Sequence, residues 1–118
     1  MKLYHYEEAP FTSQGETVGN KVQHTDCMSL VTWRFTKGHI GAMHVHPQEQ
    51  LAYVLEGRVE FKTEAGSLIA KAGDQVLFAG NEAHGSVALE DSIVLDIFSS
   101  VREDFKDKFD VLAPAQSV

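Results

Sequence analysis

Between Leu30 and Phe98 a turn signal interrupts the chain every roughly 8 to 12 residues, and this spacing constrains the fold more than any other feature. The segments between the turns are short and rich in β-branched and aromatic residues: 30–35 (LVTWRF), 51–56 (LAYVLE), 67–71, 75–78, 85–89 and 92–98. After Gly57, Arg58, Glu60 and Lys62 alternate with Val59, Phe61 and Thr63, the period of a half-buried strand. Turns are expected at Ala65-Gly66, Ala72-Gly73-Asp74, Gly80-Asn81 and Glu90-Asp91, and the Glu56-Gly57 step predicts a hairpin between the strands on either side. A long helix has no place in such a pattern. A β-sandwich or barrel does.

With 118 residues, 43% of them hydrophobic, the expected organisation is one domain over 1–118, with a barrel core at about 20–100. A short C-terminal helix is predicted over 101–112, because Val101, Phe105, Phe109 and Leu112 form a helical stripe among charged neighbours. Ser100 and Glu103 have capping-box spacing, Pro114 marks an end, and 113–118 is a tail. This helix is expected to pack on the barrel or on a partner subunit and to carry no chemistry. A net charge of −7 repels phosphate backbones and anionic lipid, so neither nucleic acid nor membrane is an expected partner. The single Cys27 reads as a small buried apolar residue. One cysteine and an N-terminus without an apolar signal core point to a reducing cytoplasm.

Six histidines are present, and three fall where composition does not explain them. His44 and His46 are two apart in an extended stretch, so their side chains share a face. Pro47 interrupts that strand, Gln50 opens the next, and His84 follows the Gly80-Asn81 turn. Imidazoles from neighbouring strands suit a divalent first-row metal, although an isolated pair of this kind is as readily a surface or core feature. His5, His24 and His39 lie outside this pattern and are read as surface or supporting residues.

The stretch GHIGAMHVHPQEQLAYVLEG, from Gly38 to Gly57, closely resembles the first motif of the cupin superfamily, with Gly38, His44, His46 and Gly57 in register and Gln50 at the usual glutamate position. GDQVLFAGNEAH resembles the second motif through Gly73 and His84, with Ala79 in place of a proline and Asn81 in place of a glycine. The resemblance implies an all-β double-stranded β-helix, the cupin jelly-roll barrel, holding a metal inside. A neutral amide at position 50 leaves a divalent ion more of its charge for Lewis-acid chemistry. Glu49 is the rival ligand, but His44, His46 and Gln50 share one sequence parity.

Residues 92–98 (SIVLDIF) place a carboxylate within an apolar run, with Ile93, Leu95, Ile97 on one face and Val94, Asp96, Phe98 on the other, and both faces read as buried. A buried aspartate must be paired, ligated or functional. It bonds a backbone group or pairs with Arg102, or its raised pKa serves proton transfer.

The region 37–105, above all VALEDSIVLDIFSSVREDF, is similar to the small cupins of pectin and alginate breakdown, the KdgF subgroup. That resemblance implies opening of the ring of 4,5-unsaturated uronate monosaccharides to linear 5-keto-4-deoxyuronate. It implies metal ligands at His44, His46, Gln50 and His84, active-site residues at Asp96, Phe98 and Arg102, and a homodimer. The expected cofactor is a divalent transition metal (nickel, zinc, iron, manganese or cobalt), and the expected ligand a small anionic sugar. Two rival readings carry over from the wider superfamily: an iron-dependent dioxygenase and a non-catalytic sugar- or metabolite-binding barrel.

Overall fold

The computed structural model describes residues 1–118. In chain order the elements are β1 (Lys2–Leu3), β2 (Thr12–Ser13), β3 (Val18–His24), β4 (Met28–Phe35), β5 (Ile40–His44), β6 (Glu49–Glu56), β7 (Arg58–Thr63), β8 (Gly66–Lys71), β9 (Gln75–Phe78), β10 (His84–Ala88), β11 (Ser92–Ser99), α1 (Glu103–Lys108) and β12 (Gln116–Ser117). Two sheets carry the architecture, one in the order β2-β3-β4-β11-β6-β9 and one in the order β5-β10-β7-β8, with every pair antiparallel. The fold is a jelly-roll of the cupin type, nearly all β with one short helix. β1 and β12 join the two ends of the chain in a separate pair. No helix is long and apolar enough to cross a membrane.

Alternation along the central strands explains what the sheets enclose. In β11 the residues Ser92, Val94, Asp96 and Phe98 are buried and Ile93, Leu95 and Ile97 only half-buried, so the expectation of two equally buried faces is corrected. The interior side packs into the core, whereas the outer side is left half-buried. One core cluster joins Ala52, Val54, Val59, Phe61, Ala70, Phe78 and Val94 across both sheets. A second joins Val22, Val31 and Phe98 to Phe105 and Phe109.

The hairpin expected at Glu56-Gly57 is instead a corner between sheets. β6 pairs with β9 and β11, and β7 pairs with β8 and β10, so the two strands never meet as a ladder. Gly57 takes φ +84°, and a Cβ there would collide with the Asp91 carbonyl and the Ser92 side chain, so glycine is what lets the chain cross.

The C-terminal helix is shorter than its sequence stripe. It covers six residues, and Ser100 makes no capping bond: the N-cap is Arg102, without a side-chain cap. Residues before it are held extended, because Val101 and Arg102 are buried and the Arg102 N–H donates to Ser29 Oγ at 2.7 Å. Pro114 does not end the helix either. Phe109 is already extended, and Val111 bridges to Val22 while the Leu112 N–H donates to the Val22 carbonyl at 2.8 Å. The helix does pack on the barrel, through Phe105 and Phe109. Cys27 is exposed in the β3–β4 turn, contrary to the buried reading, because Thr25 Oγ1 bonds the backbone N–H groups of Cys27 and Met28 and turns the chain outward.

Candidate metal centre and cavity

Three histidines from separate stretches of chain converge at one end of the barrel. His44 ends β5, His84 begins β10, and the two are cross-strand partners in the same ladder. His46 lies in the loop before β6. Their candidate ligand atoms all lie within 4.8 Å of one another.

The orientation of each ring is set by the backbone. His44 Nδ1–H donates to the Ala42 carbonyl at 2.9 Å, His46 Nδ1–H to Gln48 at 3.0 Å, and His84 Nδ1–H to Glu82 at 2.7 Å. With the proton on Nδ1, each Nε2 is left as a bare lone pair. Gln50 Oε1 stands 3.0 Å from Nε2 of both His46 and His84. Acceptors therefore face acceptors, with no proton between them. This arrangement suits a cation, so the donor set fits a divalent metal. Burial, as the largest influence, lowers the pKa of His46 and of His84, which keeps both neutral and able to ligate. Gln50 is buried, whereas Glu49, one residue earlier on β6, points to the opposite, exposed side.

The turn before His84 shows how a departure from the motif is tolerated. Asn81, at the motif's glycine position, takes φ +63°, a left-handed conformation that asparagine adopts more readily than other side chains.

Beside the histidines opens a cavity of about 450 Å³ whose wall includes Trp33, Phe61, Phe78, Asp96, Phe98 and Arg102. Asp96 sits on β11 between Ala52 of β6 and Val31 of β4. Its Oδ1 has no hydrogen-bond partner. It forms neither of the structural bonds that its burial suggested, since Arg102 is committed elsewhere. Desolvation raises the Asp96 pKa to about 7, against the opposing pull of side-chain donors from Gln50 and Trp33 and of the Arg102 charge.

Arg102 is itself buried, with its guanidinium 4.9 Å from the Phe98 ring centre and 3.8 Å from that of Phe105. Its Nε and Nη2 donate to the two carboxylate oxygens of Asp104 at 3.1 and 2.8 Å. Phe98 also meets the His46 ring edge-on at 5.4 Å, so one phenyl ring links the histidines to the arginine.

Several cavity residues escaped the sequence reading. α1, expected to carry no chemistry, contributes Asp104, Phe105 and Lys108 to the wall, and Phe109 adds to it just beyond the helix. His39, read as a surface or supporting residue, also lines the cavity: its ring stacks on Phe35 at 4.8 Å, and its Nδ1 bonds Thr17 Oγ1 at 2.8 Å. His24 supports Arg102 at one remove, through a 2.7 Å bond to the same Ser29 hydroxyl that accepts the Arg102 N–H. His5 is exposed. Trp33 was recoverable in principle, because its parity on β4 puts it on the same face as Val31; Asp104 was not, because Glu103, Asp104 and Asp107 all lie near Arg102 in sequence and no pattern tells which one meets it.

Comparison with known proteins agrees with this geometry. The cupin domain model matches residues 31–98. The pectin degradation protein KdgF of Dickeya dadantii is 37% identical over 102 residues, which cover 84% of this chain and 93% of that protein. Among solved structures, KdgF from Halomonas sp. superposes with a TM-score of 0.81 at 30% identity, covering 87% of this chain and 98% of that one. An RmlC-like cupin from Shewanella frigidimarina superposes with a TM-score of 0.80 at 27% identity, covering 87% and 94%. The barrel, its two histidine motifs and the extent of shared sequence together show that the chain belongs to the cupin family, among the relatives of KdgF.

Proposed function

We propose that this cupin opens the ring of 4,5-unsaturated uronate monosaccharides, derived from pectin or alginate, to linear 5-keto-4-deoxyuronate in a metal-dependent reaction. One observation carries the reading: the buried carboxyl of Asp96 and the buried guanidinium of Arg102 line the same cavity as His44, His84 and Gln50, beside the cluster that His46 completes. Similarity to the pectin degradation protein of Dickeya dadantii supports the substrate class.

The reaction is an isomerisation. The anomeric hydroxyl loses its proton and C1 becomes an aldehyde as the C1–ring-oxygen bond breaks; C4 gains a proton and C5 becomes a ketone. His44, His46, His84 and Gln50 would hold a divalent ion that supplies Lewis-acid polarisation of the substrate oxygens. Asp96, whose carboxyl burial pushes up to about 7, takes and returns the proton as general acid and base. Arg102 presents a planar fork to the C5 carboxylate, and Phe98 walls the cavity against water. A positively charged pocket thus lies inside a protein of net charge −7.

The test is loss of ultraviolet absorbance from unsaturated galacturonate and guluronate, with and without a chelator. A rate above the spontaneous opening that disappears with chelator and returns with added metal is expected; no such rate sinks the proposal. Oxygen uptake by the iron-loaded protein would favour the dioxygenase instead. The homodimer belongs to the same proposal, supported by an apolar row across the outer face of the larger sheet, Leu77, Leu51, Ile97 and Leu30. Light scattering that gives a monomer mass would remove it.

A further inference from the structure

Arg102 has one counter-ion, and it comes from two residues along the same chain. We propose that Asp104 is a resident stand-in for the ligand's carboxylate: it neutralises Arg102 while the cavity is empty and yields when an anionic sugar arrives, so that it sets how tightly such ligands are held. The inference rests on reading the cavity as a uronate site, and it assigns a role to a residue that the ring-opening chemistry does not use.

The two partners are unequal. The Arg102 side chain is 9% exposed and that of Asp104 is 59% exposed. The guanidinium packs against the Phe98 and Phe105 rings, and the backbone of the residue is anchored through its N–H to Ser29. An unpaired charge so placed is costly, and no other carboxylate lies within ion-pair distance of it. Asp104 supplies the missing charge in the bidentate form a sugar carboxylate would take. Rotation of its side chain alone returns its carboxylate to water, and its place in the first turn of α1 suits a free negative charge. An incoming carboxylate either takes the Nε–Nη2 edge from Asp104 or binds the remaining edge against its charge. In both cases Asp104 opposes entry, and its return assists departure of the anionic product while Arg102 stays paired.

The experiment uses the metal-loaded protein, the variants D104N and D104E, and two probes: galacturonate, which keeps the carboxylate but lacks the C4–C5 double bond, and galactose, which lacks the charge. Calorimetric titration is expected to show galacturonate bound about three- to tenfold more tightly by D104N than by wild type, with galactose unchanged and D104E like wild type. KM for the unsaturated uronate should fall by a similar factor while kcat does not rise. Equal or weaker galacturonate binding by D104N overturns the inference, as does equal tightening for galactose. If D104N does not fold, D104S carries the same expectations. If no variant turns over an unsaturated uronate yet the galacturonate difference holds, the proposed activity fails and the role of Asp104 stands.

Discussion

The two ends of the barrel are built on the same strands and do opposite things. At one end β6 and β11 present Val54 and Val94 to each other, in one cluster with Val59 and Ala70. One alternation further along, the same pair of strands presents Ala52 opposite Asp96, and then Gln50 opposite Phe98. A single step of two residues therefore leads from an apolar cluster, whose Val94 forms part of the cavity wall, to the polar groups of that cavity. The apolar cluster makes the fold stable enough to hold, at the other end, groups that work against it: a carboxyl deprived of water, three imidazoles with converging lone pairs, and a buried guanidinium.

Several substitutions break or sharpen that contrast. The largest effect is expected from V94D, which moves a carboxylate one alternation along β11. Packed into the apolar cluster with Ala52, Val54 and Val59, it should cost about 4–5 kcal/mol or more, comparable with a domain's whole stability, and circular dichroism should show an unfolded chain. D96N, the opposite experiment, should lower turnover by about 10²–10⁴-fold while the metal content stays that of wild type. An unchanged kcat in D96N would remove Asp96 from the chemistry.

The pH dependence of the metal-free protein follows from the same carboxyl. The folded state holds the Asp96 proton up to about 7, whereas the ordinary value is 3.8, so native protein binds more protons than unfolded protein between those limits. Stability should therefore fall as pH rises from 3.8 to about 7 and level off above. Denaturant titrations at several pH values should show this slope in wild type and a shallower one in D96N, which gains stability relative to wild type above pH 7. The smallest effect is expected from E49A, which should leave metal stoichiometry unaltered while Q50A weakens metal retention on dialysis. The reverse result would transfer the fourth ligand to Glu49.

The parts of the molecule that could be read in advance are those with a period. Most strand positions between Leu30 and Phe98 and the shared face of His44 and His46 follow from alternation, whereas the unbroken apolar run around Asp96 hid which of its faces points inward. The corner at Gly57 was misread because alternating strands either side of a glycine look the same whether they pair or part; only the partners, β9 and β11 on one side and β8 and β10 on the other, distinguish the cases. The helix was overextended because the stripe from Val101 to Leu112 records burial against the barrel, and an extended segment can bury Val101 as well as a helix can. Cys27 was misplaced because exposure in a turn depends on the Thr25 bonds and not on the apolarity of the thiol. The wall made by α1 and the place of His39 depend on tertiary proximity alone.

The pairing of His44 with His84, and the approach of Gln50 to a residue 34 positions away, also set an order of events in time. The convergent lone pairs do not exist in any local fragment of the chain. β5 must find β10 and β6 must find β11 first, and such non-local ladders form slowly, after the local β7–β8 hairpin. A metal ion would therefore have little purchase on the unfolded chain or on early intermediates, and would act by holding the finished barrel closed. Added metal should slow unfolding while leaving the refolding rate almost untouched.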